Sequence, residues 1–164
     1  MDWTKQIIRY AVVMVLQVLL FDQLQLLGVC HPYIYILCLL MMPITLPHIS
    51  DMLIGATAGL IMDIFCNSLG VHTSACILLM YVRPYILSAL INETDRLNEQ
   101  LSLHSLGMEA MTKYVVILVL LHHLTVFMLA AWSWQHVGFV VLETLVSSLL
   151  TILVILGYNI LKYR

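Results

Sequence analysis

Four stretches of the chain run for 18 to 29 residues without a single Lys, Arg, Asp or Glu: Gln23–Ser50 (28 residues), Ile64–Val82 (19), Tyr114–Leu142 (29) and Thr144–Leu161 (18). Windows of this length match the roughly 20 apolar residues that carry an α-helix across a bilayer. Two shorter windows, Tyr10–Phe21 and Met52–Met62, extend to full spans once Arg9 and Asp63 are admitted near helix ends. Of the 164 residues, 62% are hydrophobic and 10% charged, where a soluble domain carries about 25% charged residues. The formal charge is −2, without the basic surplus of a nucleic-acid binder. These features predict an integral membrane protein and exclude an ordinary soluble enzyme, a disordered chain and a nucleic-acid partner.

The windows predict an all-α polytopic membrane protein, a compact bundle of six transmembrane helices near 6–25, 32–46, 49–67, 71–90, 113–132 and 137–161. The second span is short, with Pro32 suited to a first helical turn and Pro43 and Pro47 closing the segment. A dip into the bilayer is the other reading of that segment. The basic residues argue for a crossing. Lys5, Arg9, Arg83, Arg96, Lys113, Lys162 and Arg164 all fall on the cytoplasmic side if there are six spans and both termini are inside. That distribution satisfies the positive-inside rule. Asp22, Gln23 and Gln25 follow the first apolar run without a small-residue cleavage site, so that run reads as a retained span. Residues 1–164 form one membrane domain. Only Ile91–Thr112 looks water-exposed. There Leu97, Leu101, His104, Met108 and Met111 recur at helical spacing, which fits either an interfacial helix or a connector broken at Gly107. On the connector reading, Gly107→Ala is nearly silent.

The strongest local pattern lies in the third helix. Asp51, Gly55, Gly59, Asp63 and Asn67 follow at intervals of four and form one slanting face. Gly55 and Gly59 permit close helix approach. Asp51 is placed at the cytoplasmic headgroup level, where water solvates it. Asp63 sits about one turn from the outer end of its span, with no basic residue on that side. An intramembrane carboxylate is a functional candidate by default. Its structural alternative is to accept backbone N–H groups at the start of the fourth helix, across the turn Asn67-Ser68-Leu69-Gly70. Arg83-Pro84 marks the close of the fourth helix, with Arg83 as an anchor at the inner headgroups or a partner contact. His122, His123 and Glu143 fall within spans and form a candidate polar cluster. Adjacent imidazoles point about 100° apart on a helix, so they do not chelate one metal. No nucleophile motif, phosphate loop or metal-ligand spacing is present, and no cofactor is expected. Cys30, Cys38, Cys66 and Cys76 read as small buried thiols.

Gly55-Ala-Thr-Ala-Gly59-Leu-Ile-Met-Asp63-Ile-Phe65, then Leu69-Gly70-Val-His72 and Tyr81-Val-Arg83-Pro84, resembles the MreD family of rod shape-determining proteins. Leu16-Gln17-Val18-Leu19, Leu27-Gly28 and Pro32 are similar to its bacteroidete-type members. The likeness is most specific over 55–84, and after Ile91 only hydropathy and span placement match. It implies a non-enzymatic subunit of the bacterial elongation machinery in the inner membrane. Such a subunit associates with the single-span protein MreC and, through it, with the actin-like MreB and the cell-wall synthases. The family is thought to share its fold with the substrate-binding subunits of energy-coupling-factor vitamin transporters, and such a subunit is the alternative reading. Those subunits dock through an A-x-x-x-A-type motif, whereas Ala11-Val-Val-Met-Val15 lacks the second alanine.

Overall fold

A computed structural model describes residues 3–21, 30–44, 46–90, 103–131 and 137–163. All the regular elements among them are helices: α1 (Trp3–Leu16, continued by a π-helical turn over Gln17–Phe21), α2 (Ile36–Leu40), α3 (His48–Cys66), α4 (Val71–Leu90), α5 (Leu103–Ala131) and α6 (Val137–Tyr163). Four of these, α3 to α6, are long and apolar enough to cross a membrane. They pack in chain order, α3 on α4, α4 on α5 and α5 on α6, while α1 leans on α2.

The bundle is apolar outside, and its apolar core encloses a set of buried polar groups. On α3, Ile49, Leu53, Leu60, Ile64 and Phe65 are exposed, and on α6 so are Leu145, Leu149, Leu153 and Ile160. Buried positions include Gln17, Asp51, Asp63, His72, Arg83, His122 and His123. Thr144, Ser147, Ser148, Thr151 and Asn159 add a polar, mostly small seam on α6. Small and hydroxyl side chains let membrane helices approach closely and bond each other, because lipid gives no hydrophobic drive for helices to associate. The outward apolar surface is the one a bilayer would solvate.

The expected helix over 32–46 is not formed. In its place α2 has five residues, about 7.5 Å of helix against a hydrocarbon core of about 30 Å. Tyr33 to Pro43 are all buried by the other helices. Irregular backbone at this depth persists only where protein answers its polar groups. Here it does. At the entry to α2, Gln17 Nε2 donates to the Pro32 carbonyl at 3.0 Å, and Gln17 Oε1 accepts from Ile34 N (2.7 Å) and Tyr35 N (3.3 Å). Beyond it, the Tyr10 and Tyr114 hydroxyls donate to the Cys38 and Leu40 carbonyls at 2.8 and 2.9 Å, and Arg83 Nη2 donates to the Met42 carbonyl. The stretch 32–43 is apolar because protein buries it throughout.

One further boundary differs. The connector expected to last until Thr112 is helical from Leu103, and Met111 belongs to the core. The break at Gly107 is real, with φ 72° and ψ 158°. Side chains rarely adopt that backbone, so Gly107→Ala is strained by about 1–3 kcal/mol, not silent. Leu97 and Leu101, like residues 22–25 of the first expected span, lie outside the described residues.

Candidate functional site: the α3–α4 hairpin and its buried polar groups

The α3–α4 hairpin holds all the motif residues from Gly55 to Pro84. A Cβ at Gly59 would lie 2.5 Å from Thr73 Cα and 2.6 Å from the His72 carbonyl oxygen, so α3 rests on the α4 backbone there. At Gly55 the same atom would meet Met80 Cγ at 2.7 Å, the middle of a flexible side chain. The turn between the helices uses two residues of positive φ, Asn67 at 53° and Gly70 at 83°. Asn67 is the left-handed cap that ends α3, and its N–H donates to the Asp63 carbonyl.

Asp63 closes the hairpin with its carboxylate. Oδ1 accepts from the His72 N–H at 2.9 Å and the Ser68 hydroxyl at 2.7 Å. Oδ2 accepts from the Thr73 N–H at 2.9 Å and the Thr73 hydroxyl at 2.6 Å. This is the backbone capping that the sequence allowed as the structural alternative. It answers orphan donors and sets a negative charge at the positive end of the α4 dipole. Asp63→Asn is expected to retain part of the thermal stability, since one oxygen still accepts. Asp63→Leu should lower the amount of folded protein by orphaning the buried His72 N–H, at about 1–3 kcal/mol, and the part-buried Thr73 N–H. If Asp63→Leu accumulates and melts like the parent, the cap is not what makes Asp63 matter.

About 18 Å along α3, at the other end of the hairpin, Asp51 Oδ2 pairs with Arg83 Nη1 at 2.9 Å. Both side chains are buried, 4% and 1% exposed. Asp51 is therefore not solvated at a headgroup level, and Arg83 is not a headgroup anchor. Nor does Arg83-Pro84 end α4, which continues through Pro84 to Leu90. Proline forgoes one helical bond, and packed neighbours tolerate that inside a bundle. Arg83 Nε also donates to the Tyr114 hydroxyl at 3.0 Å, so one guanidinium joins α3, α5 and the chain beyond α2.

The imidazoles make a separate cluster. The Tyr35 hydroxyl lies 2.8 Å from His122 Nε2, 3.2 Å from His72 Nδ1 and 3.4 Å from Cys76 Sγ. His122 Nδ1 has no partner. The proton arrangement that leaves no orphan N–H has His122 Nε2 donating to Tyr35 and the Tyr35 hydroxyl donating to His72 Nδ1. His123 turns elsewhere, with Nδ1 2.9 Å from the Val119 carbonyl oxygen and Nε2 3.3 Å from Thr151 Oγ1. The Tyr33 ring sits between them, 4.9 Å from His72 and 5.2 Å from His123.

Glu143, half-buried on α6, bonds neither His122 nor His123, so the expected three-residue cluster does not form. The histidines find Tyr35, Cys76 and Thr151 instead. Among the described residues no three His, Cys, Asp or Glu side chains are placed to share a metal ion. All four cysteines are free thiols, three of them buried and Cys66 half-buried. Sequence reasoning missed Gln17, Tyr35, Tyr114 and the role of His72. A polar Gln17 in an apolar window and the helical spacing of His72 and Cys76 were the available signals.

No family model, no curated protein and no solved structure matches this chain.

Proposed function

We propose that this chain is a non-enzymatic membrane subunit of the MreD kind, acting by binding. In this reading it sits in the bacterial inner membrane with six crossings and both termini in the cytoplasm. It holds an MreC-like single-span protein and, through it, an MreB-like filament and the cell-wall synthases that maintain rod shape. One observation carries the reading: the motif on which the resemblance rests folds as a single hairpin that its own residues hold together. Gly59 seats α3 on α4, Asp63 caps α4 and Arg83 ties the far end. The outward stripe Ile49, Leu53, Leu60 and Ile64 leaves that hairpin an apolar face of the kind another span packs against.

Depleting the protein in a rod-shaped host should give rounded cells, and extraction in mild detergent should bring down a single-span partner. Reporter fusions after Arg164 and within residues 92–105 should both read cytoplasmic. Opposite readings would overturn the six-span arrangement.

The transporter alternative has its own support. An open cleft of about 530 Å³, lined mostly by exposed residues, lies beside the α3–α4 turn between Asn67, Ser68, Gly70, Ser74 and Leu129. If depleted cells stay rod-shaped and come to need a vitamin, that reading replaces the first.

A further inference from the structure

A second, smaller cavity of about 90 Å³ lies against the Asp51–Arg83 pair, walled by Ile44, Leu46 and Leu87 and reached by His48. Two of the residues lining it carry buried atoms without a hydrogen-bond partner, Asp51 Oδ1 and His48 Nε2. Arg83 uses three of its five N–H groups, on Tyr114, Asp51 and Met42, and leaves two unspent. A bare carboxylate oxygen in a dry interior is among the most expensive groups to leave unanswered. Nature tolerates such an ion pair when further hydrogen bonds satisfy the remaining lone pairs and protons.

We propose that this cavity is a built water site, in which bound water links Asp51 Oδ1, His48 Nε2 and the unspent Arg83 N–H groups. The space suffices, because one water needs about 10–15 Å³ on this measure and two to four polar partners. The chemistry selects a neutral molecule that both donates and accepts. A cation entering the cavity meets the Arg83 guanidinium, and an anion meets the Asp51 carboxylate. Water donates to Asp51 Oδ1, accepts from Arg83 and takes whichever role the His48 Nε2 tautomer requires, and so can answer these orphans together. The Tyr81 and Tyr85 rings, 5.5 and 6.2 Å from His48, hold the imidazole in place from α4. The pair is then a hydrated joint rather than a dry one.

The test is magnetisation transfer from water to the Arg83 side-chain protons, measured on full-length protein labelled with nitrogen-15 arginine in lipid nanodiscs. A long-lived water signal at the Arg83 Nη protons is expected. It should persist in His48→Gln, which keeps a hydrogen-bonding tip, and be lost or weakened in His48→Leu. Xenon offers the opposite readout, since dry apolar cavities take it up and hydrated ones do not. Absence of the water signal in the parent protein, or xenon bound beside Leu87, overturns the proposal. A signal unchanged in His48→Leu overturns the part given to His48.

Discussion

Gly59→Ala should yield little or no folded protein from the membrane, although it adds one methyl group. That methyl would sit 2.5 Å from Thr73 Cα and 2.7 Å from Thr73 N, and neither backbone atom can rotate away. The helices must separate, and separation pulls the Asp63 carboxylate off the same Thr73 N–H. The destabilisation should therefore exceed the roughly 1–3 kcal/mol of ordinary overpacking. Gly55→Ala makes the informative comparison. Its methyl would meet Met80 Cγ at 2.7 Å, which a new Met80 rotamer can relieve, and the Cys76 carbonyl oxygen at 3.0 Å, a milder backbone contact than the 2.5–2.7 Å ones at Gly59. The thermal midpoint in detergent should drop far less for Gly55→Ala than for Gly59→Ala. Equal drops would mean that the contact with the α4 backbone is not what limits the hairpin.

Arg83→Met should be nearly as damaging for a different reason. It leaves the Asp51 carboxylate buried without its cation, a change that costs about 3–5 kcal/mol in other proteins. The Met42 carbonyl and the Tyr114 hydroxyl lose a donor as well. Adding Asp51→Leu to Arg83→Met removes the stranded charge, and the double variant should recover much of the loss. Recovery will be partial, because the Met42 carbonyl still lacks its donor. A double variant no better than Arg83→Met alone would show that the guanidinium acts through Met42 and Tyr114 rather than through Asp51.

Much of this architecture is readable from the chain, and the misreadings share one cause. The spans read as 49–67, 71–90 and 137–161 form His48–Cys66, Val71–Leu90 and Val137–Tyr163. Apolar length with a polar turn between them reports these helices, even though Asp51, Asp63, Arg83 and Glu143 interrupt the uncharged runs, since each is one continuous helix. The Asp63 cap is readable too, because its partners Ser68, His72 and Thr73 follow within ten residues across a turn that Asn67 and Gly70 announce. The 28-residue window Gln23–Ser50 misleads, since hydropathy does not distinguish a segment wrapped in lipid from one wrapped in protein. Arg83 reads as an anchor for the same reason. Its partner Asp51 is 32 positions away, and only the docking of α3 on α4 brings them together. Tyr35 and His122 are 87 positions apart, and nothing in the spacing of either hints at the other.

The brevity of α2 bears on the order in which this protein is assembled. An isolated helix in hydrocarbon answers its own backbone, and α3 to α6 are long enough to enter a bilayer one by one. Ile36–Leu40 has no such independence. The polar groups at its two ends are answered by Gln17 and Tyr10 from α1, Arg83 from α4 and Tyr114 from α5, and these last two are synthesised after it. Residues 30–43 are therefore expected to be seated only after Tyr114 has been synthesised. They are among the first made and among the last to be seated, so a chain interrupted before α5 would have no stable place for them.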